Sequence, residues 1–301
     1  MRQTFKLTTP VLFLVFNRPE TTKLVFEEIK KAKPSQLFVA ADGPRNDEEK
    51  KKTDEVKKIV SKIDWPCKVK TLFREKNLGC KYAVSGAIDW FFENVEQGII
   101  LEDDCLPSQS FFRFCQEMLI KYKDDERIMQ VGGTNVEITS DYPESYFFSD
   151  RLSPWGWATW RRAWKLYDRE LESYEKLKLE GRISQLEDPI FRGLIGKRTY
   201  RLLRQGKINT WDFQWYTSCM LNRGVGIIPK VNLITNLGFS NGTHTTNINN
   251  KSLKRKEIEF PLKENKIINK NQDYKKKFNK FFRKGWMLRR IQGVVTKIYK
   301  G

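Results

Sequence analysis

Short apolar runs alternate with longer amphipathic stretches over the first hundred residues, and this alternation predicts much of the architecture. Residues 10–16 (Pro-Val-Leu-Phe-Leu-Val-Phe) are almost continuously apolar, as expected of a strand buried on both faces. Asn17-Arg18-Pro19-Glu20 follows, with Pro19 placed for the first turn of a helix that runs through Lys31. Residues 37–41 predict a second strand, ending in Asp42-Gly43-Pro44. Residues 50–63 predict a helix with Val56, Ile59, Val60 and Ile63 on one face, and 69–73 a third strand. A helix over 82–95, with Ala83, Ala87, Trp90 and Phe91 turned inward, leads to a fourth apolar run, Gly98-Ile99-Ile100-Leu101. That run stops at three consecutive carboxylates, Glu102-Asp103-Asp104. The order β-α-β-α-β-α-β predicts an α/β fold, a mostly parallel central sheet with helices on both faces.

Beyond the acids the pattern is less regular. A helix is predicted over 108–122 and a strand over 128–131, ending in Gly132-Gly133-Thr134-Asn135, where the backbone could approach a ligand or simply turn. Residues 141–150 have the composition of an aromatic loop. Trp157, Trp160 and Trp164 recur at spacings of three and four, which places them on one face of a helix, the pattern of a core. Trp155 and Trp157 flank Gly156 at the start of that helix, where a ring could stack on the face of a sugar. Residues 168–205 are charged and helical in pattern. Arg182, Arg192, Lys197, Arg198 and Arg201 there suit an acidic acceptor, although a solvated face is the ordinary reading. A short strand over 226–229 precedes Asn236-Leu237-Gly238-Phe239-Ser240-Asn241-Gly242-Thr243-His244-Thr245. Such small and polar composition suits a loop that closes over a diphosphate, with His244 near a phosphate.

Parallel strands present functional groups at their carboxyl ends, where ligand crevices form. The candidates at those ends are Asn17, Arg18, Asp42 and Asn77, followed by the acidic triplet. An Asp there can accept from a base or ribose, and an Arg can pair with phosphate. Three adjacent carboxylates repel one another, and Mn²⁺ or Mg²⁺ shared with a substrate diphosphate would relieve that repulsion. A solvated turn or a helix cap before Pro107 is the alternative. No GxGxxG follows the first strand and no GxxxxGK[ST] occurs, which argues against dinucleotide and P-loop sites. The Gly-rich first loop typical of nucleotidylyltransferases is also missing, its place taken by Asn17-Arg18-Pro19.

Composition narrows the class further. A single His excludes a His-rich metal or catalytic centre, and five cysteines without CxxC spacing fit a reduced, cytoplasmic protein. No signal-peptide core opens the chain and no apolar run is long enough to span a bilayer, so a peripheral place on the inner membrane face is the closest membrane association expected. The net charge of +19 first points to nucleic acid. Residues 251–301 alone carry 17 Lys/Arg against 4 Asp/Glu, however, so the excess belongs to the tail and no nucleic-acid partner is expected. In that tail Phe278, Phe281, Phe282, Leu288, Ile291, Val295 and Ile298 alternate with Lys and Arg. A basic amphipathic helix over 274–300 would follow, lying on an anionic membrane or packed on the main domain.

Strand-Asn-Arg-Pro, strand-Ala-Asp-Gly, Asn77-Leu78-Gly79 and Leu101-Glu102-Asp103-Asp104 resemble the motifs of GT-A nucleotide-sugar glycosyltransferases. The continuation through Phe111-Phe112, Arg151-Leu152-Ser153-Pro154-Trp155-Gly156-Trp157, Trp164 and Trp211-Asp212 is similar in order to the N-acetylglucosaminyltransferase I group, over roughly residues 9–246. The resemblance implies Asp104 as metal ligand, Glu102 and Asp103 as donor contacts, and Asp212 as catalytic base; Glu137 and Asp150 are the carboxylates next in line for that last role. It departs at Phe213, where the family often has a second acid, and in the shorter chain, so the donor sugar is not inherited. The expectation is a GT-A domain over 1–250, with a donor half at 1–135 and an acceptor half at 136–250, followed by a basic tail over 251–301. Its expected activity is metal-assisted inverting transfer from a nucleotide diphosphate-sugar, UDP-linked, to a hydroxyl of a surface or lipid-linked glycan. A basic nucleic-acid- or membrane-binding protein without catalysis is the alternative.

Overall fold

The computed structural model describes residues 5–136, 142–185, 194–238 and 253–281. Its strands are β1 (Val11–Val15), β2 (Gln36–Ala41), β3 (Lys68–Phe73), β4 (Gln97–Glu102), β5 (Cys105–Pro107), β6 (Ile128–Gly132), β7 (Tyr146–Ser149), β8 (Trp157–Trp160), β9 (Val225–Pro229) and β10 (Ile234–Asn236). Eight of them form one sheet in the order β3-β2-β1-β4-β8-β6-β9-β7, while β5 and β10 pair separately. Strands β3, β2, β1 and β4 are mutually parallel; β8 runs antiparallel between β4 and β6. The fold is mixed α/β and Rossmann-like, with a large, mostly parallel sheet.

Strand order sets the position of the site. From β1 the chain moves outward through β2 to β3, then returns to place β4 on the other side of β1. The two connections leave β1 and β4 in opposite directions and open a crevice between their carboxyl ends, where open α/β sheets bind ligands. Helices α1 (Pro19–Ala32), α2 (Asp47–Val60) and α4 (Gln109–Lys121) contribute to one core layer with Val11, Phe13, Ile99 and Leu101. Helices α3 (Gly79–Asn94), α5 (Arg161–Trp164) and α8 (Asp212–Leu221) contribute to the other, against Leu12, Leu14 and Ile100. Successive residues of a strand face opposite layers, so the alternating registers of β1 and β4 separate the two cores.

Three sequence expectations need correction. Trp157, Trp160 and Trp164 do not share a helix: Trp157 and Trp160 belong to β8, and only the four residues Arg161–Trp164 are helical. Their separation by three puts the two strand residues on opposite faces, Trp160 in the first core and Trp157 in the second. Helical spacing and strand membership cannot be told apart over so short an apolar run. The stretch expected to be an aromatic loop contains β7, the edge strand of the large sheet. The Gly132-Gly133 pair admits protein rather than ligand: a Cβ on Gly133 would lie 2.6 Å from the Phe111 ring and 2.8 Å from the Gly156 carbonyl.

The compositional change near residue 250 does not mark a detached tail among the described residues. Glu257 accepts from the backbone N–H groups of Gln109 (3.1 Å) and Ser110 (2.7 Å), satisfying free donors at the start of α4. Asn271 N–H donates to the Phe148 carbonyl at 2.9 Å, and Phe148 bridges Lys270, which covers the open edge of β7. A helix over 272–281 buries Tyr274 and Phe278 against Val136, Phe147, Ile228 and Leu253. Of the two readings of the 274–300 pattern, packing on the domain therefore holds as far as residue 281, since the apolar stripe is taken up by protein. Residues 282–300 lie outside the described part. Phe278→Ala should cost about 3–5 kcal/mol, as for other buried aromatic truncations. Urea unfolding checks this; a loss below about 1 kcal/mol would mean the helix is not docked in solution.

Candidate functional site

The carboxyl end of β4 divides the acidic triplet between two faces. Glu102 is opposite Leu14 of β1, so its side chain projects into the layer that contains Trp211 and Trp215. Asp103 is only 2% exposed and turns toward β1, where its Oδ2 accepts from Phe16 N–H at 3.1 Å. Asp104 stays partly open. Arg18, immediately before α1, forks across the last two acids: Nη2 lies 2.7 Å from Asp103 Oδ1 and Nη1 2.7 Å from Asp104 Oδ2. The two loops of the strand reversal are thereby tied together by a charge-assisted pair on each arm of one guanidinium.

Electrostatics follow from this arrangement. Burial works against the charge of Arg18, but Asp103, Asp104 and then Glu102 outweigh it and raise the guanidinium above its ordinary value. Burial pushes Asp103 up to about 7 against the pull of Arg18. Burial likewise holds Glu102 well above the usual carboxylate range, helped by Asp104, Asp103 and Asp212. Asp212 is close enough for its charge to act on Glu102 although 110 positions separate the two in the chain, and Asn209 fastens the loop before it to the start of α3. Cys80, near the start of α3, is open to solvent yet recessed among these acids; burial, Glu102 and Asp212 push its thiol up to about 12.

Asp212 is the first residue of α8, with Trp211 at the N-cap. Its Oδ1 accepts from Phe213 N–H at 2.8 Å and from the Thr210 hydroxyl, so the carboxylate also completes the first turn of its helix. An aromatic cluster fixes that helix. Trp157 stacks on Trp211 at 5.7 Å between centroids, Trp164 lies 5.2 Å from Trp215, and Tyr167 stacks on Trp164 at 4.2 Å. Trp215 Nε1 donates to Gln130 Oε1 at 2.8 Å, and Tyr167 Oη to the Trp211 carbonyl at 3.1 Å. On the outer side Tyr216 Oη accepts from Arg151 Nη1 at 2.9 Å. The Arg151 guanidinium is 1% exposed and also donates to Asn279 Oδ1, so the 272–281 helix is tied to α8 through one buried cation.

The remaining candidates have other work in this structure. Asp42 is buried, and its oxygens accept from the backbone N–H groups of Gly43, Leu78 and Gly79, so the carboxylate anchors the N-terminus of α3. Asn77 Nδ2 donates to the Gly43 carbonyl at 2.7 Å and clamps the same two loops. Asn17 Nδ2 donates to Glu49, which Arg45 holds at about 2, far below the usual value for a glutamate. Trp157 is fully buried, so its ring is not available to stack on an acceptor; Trp155 is half-buried. Asp150, an alternative base, is taken by Lys275 at 2.9 Å and by Arg151. His244, and Glu137 as a further alternative base, lie outside the described residues.

Several contributors carry no motif. Asn209 accepts from Lys81 N–H at 2.7 Å and packs against Gly79, whose φ of +76° suits glycine, so the loop before α8 is fastened to the start of α3. Gly238 lies against Asp104: a Cβ there would come within 2.6 Å of Asp104 Oδ2. Leu237 N–H donates to the Asp104 carbonyl at 2.7 Å, the last contact of the β5–β10 pairing. Only the small-residue composition around Gly238 hinted at this; Asn209 gave no signal.

The donor set was tested for a divalent ion. Among the described residues no three His, Cys, Asp or Glu side chains gather into a metal site. Asp103 is consumed by Arg18 and Phe16, and Glu102 points into the other layer. What fits is one carboxylate, Asp104, with its shell completed by substrate oxygens, as Mg²⁺ commonly accepts.

Fold and site together define a Rossmann-like α/β protein with an acidic, arginine-braced crevice at its strand reversal. Among solved structures the chain is similar to 4-diphosphocytidyl-2C-methyl-D-erythritolsynthase from Anaerococcus prevotii, at 10% identity over 56% of this chain and 77% of that one, with a TM-score of 0.35. It is likewise similar to the inositol-1-phosphate CTP transferase from T. maritima, at 11% identity over 55% and 76%, also with a TM-score of 0.35. Likeness this distant carries no activity across. No protein-family model and no curated protein matches the chain.

The raised pKa values have a definite sign. Asp103 and Glu102 both bind protons more tightly folded than unfolded; the contribution of Asp103 to stability is full below about pH 4 and is lost as pH rises through about 7. In EDTA, the unfolding free energy of the wild type should therefore carry a downward slope between pH 5 and 8 that Asp103→Asn flattens. Equal slopes in the two proteins would show that Arg18 keeps Asp103 ionised throughout.

Proposed function

We propose that the chain is a nucleotide-diphospho-sugar glycosyltransferase that transfers its sugar to a hydroxyl of a glycan or lipid-linked glycan with inversion. UDP is the expected nucleotide. One observation carries this reading: Asp104 and Arg18 meet at the strand reversal, and Asp212, on a separately positioned helix, shares the crevice with Glu102. The first group suits a diphosphate, and the second supplies a carboxylate across from it.

A divalent ion, Mn²⁺ or Mg²⁺, held by Asp104 and the donor phosphates, would offset charge that develops on the leaving diphosphate. Arg18 is the resident cation at the same place, and its fork can pair with phosphate oxygens as it does with carboxylates. Asp103 keeps Arg18 aimed at the crevice. Asp212 takes the proton of the acceptor hydroxyl as that oxygen attacks the anomeric carbon from the face opposite the diphosphate, giving single-displacement inversion. The Trp157–Trp211–Trp215 cluster fixes α8 so that this carboxylate is held in one place. Asn17, Asp42 and Asn77 contribute by shaping the loops around the donor, since their polar groups are largely engaged by the protein.

Thermal stabilisation by UDP-, GDP- and CMP-sugars, with and without Mn²⁺, tests the reading directly. One class should stabilise the protein more with metal, and Asp104→Ala should remove that metal dependence while leaving the apo protein folded. Undiminished Mn²⁺ dependence in Asp104→Ala would place the ion elsewhere. The base is tested separately. An Asn side-chain oxygen can still accept from Phe213 N–H and the Thr210 hydroxyl, as Asp212 Oδ1 does, but it cannot take up the proton. Asp212→Asn should thus retain fold and donor binding while turnover drops by roughly 10²–10⁴. Near-normal turnover would leave Asp212 with only its role of bracing the first turn of α8.

A further inference from the structure

Helix α7 (Leu194–Arg204) divides cleanly into two faces. Tyr200 and Leu203 pack into a cluster with Leu171, Tyr174, Phe213 and Tyr216, which joins α7 to α6 (Glu172–Leu179) and to α8. Lys197, Arg198, Arg201 and Arg204 are all exposed, and their spacing of one, three and three residues places them on one face. Lys207 continues the series just past the helix. Among the described residues none of these five forms an ion pair. At a rise of 1.5 Å per residue the four helical cations extend over about 10 Å.

Among the described residues, acids of α6 and its C-cap lie beside Arg204. Glu172, Glu175 and Glu180 line a shallow groove of about 480 Å³ with Arg204. Two of them are already engaged, Glu175 with Lys178 at 3.3 Å and Glu180 with Arg182 at 2.9 Å. The outer face of Lys197, Arg198 and Arg201 is thus left positive. The helix is also fastened to the crevice: Leu203 shares its cluster with Phe213, the neighbour of Asp212, and Asn209 ties the connecting loop to α3.

We propose that the basic face of α7 is the docking surface for an anionic polysaccharide acceptor. This rests on the glycosyltransferase reading above and specifies the acceptor class. Several positive charges in line suit a polymer with repeated negative groups better than a single anion, and guanidinium forks match carboxylates. A lipid-binding helix needs a free apolar face to insert. In α7 that face is consumed by α6 and α8, which favours a polysaccharide over a bilayer.

The test compares the full-length protein with a Lys197→Gln/Arg198→Gln/Arg201→Gln triple variant, all three positions being exposed. The probe is polygalacturonate, with neutral dextran as control. The wild type should bind polygalacturonate in a salt-sensitive way. The variant should bind about tenfold more weakly, as expected when three exposed ion pairs are lost together, with a flatter salt dependence. Vesicles of phosphatidylcholine with phosphatidylglycerol should bind the two proteins equally. Unchanged polygalacturonate binding in the variant overturns the proposal. So does loss of vesicle binding with polysaccharide binding intact, which would reassign the face to lipid. Stabilisation by UDP with Mn²⁺ is followed in the same samples. Its absence from both proteins would remove the transferase reading and with it the role of acceptor, while a weaker variant would still identify α7 as a polysaccharide-binding face.

Discussion

Three carboxylates can end a buried strand only if something positive meets them, and here Arg18 does so from the neighbouring strand. Its fork closes on Asp103 and Asp104 at 2.7 Å each, binding the loop after β1 to the loop after β4. Arg18 is 41% exposed, so solvent screens its side of the pair, but without it the buried Asp103 carboxylate would be left with no cation to face. The crevice is therefore a braced structure before any substrate arrives. Its shape depends on the pair as much as its charge does.

A second constraint operates on the opposite wall. Asp212 stands at the start of a helix that buries Trp215 beside Gln214, Thr217, Ser218 and Cys219, and next to it Trp157, Trp164 and Trp211 approach one another within 6.4 Å. Large rings with few torsions lose little freedom on packing, so they fix a helix at modest entropic cost. Arg151, buried between α8 and the 272–281 helix, adds directed hydrogen bonds from the other side. Position of the carboxylate is thus decided by residues far from it in the chain.

Much of this was legible in the sequence. The parallel half-sheet could be read because β1, β2 and β4 are apolar runs buried on both sides, while β3 is an exposed edge strand, and its helices carry an apolar stripe at helical spacing. The acidic end of β4 and Arg18 followed, since strand ends of such sheets gather function. The second half resisted for a physical reason: β8 and α5 share one short aromatic run in which the two periods coincide. The roles of Asp42 and Asn77 were also hidden, because a loop anchor and a ligand contact require the same side chains. The basic tail misled through composition, since its apolar stripe looks the same whether it meets lipid or, as Tyr274 and Phe278 do, the domain itself. Asn209 and Gly238 acquire meaning only from what folds against them.

The closing segment over 253–281 has a bearing on how the molecule is made. Arg255 reaches back 227 positions to Glu28, Ile258 N–H donates across 148 positions to Ser110 Oγ, and among the described residues the β7 edge is covered by those near 270. A chain emerging from the ribosome would complete its parallel core early but expose the β7 edge and the start of α4 until residues 253–281 had emerged. Such distant closures slow folding, since loop entropy must be lost before the contacts form. The interval before residues 253–281 emerge is consequently when this fold is most open to wrong strand pairing, and that is where a chaperone would act.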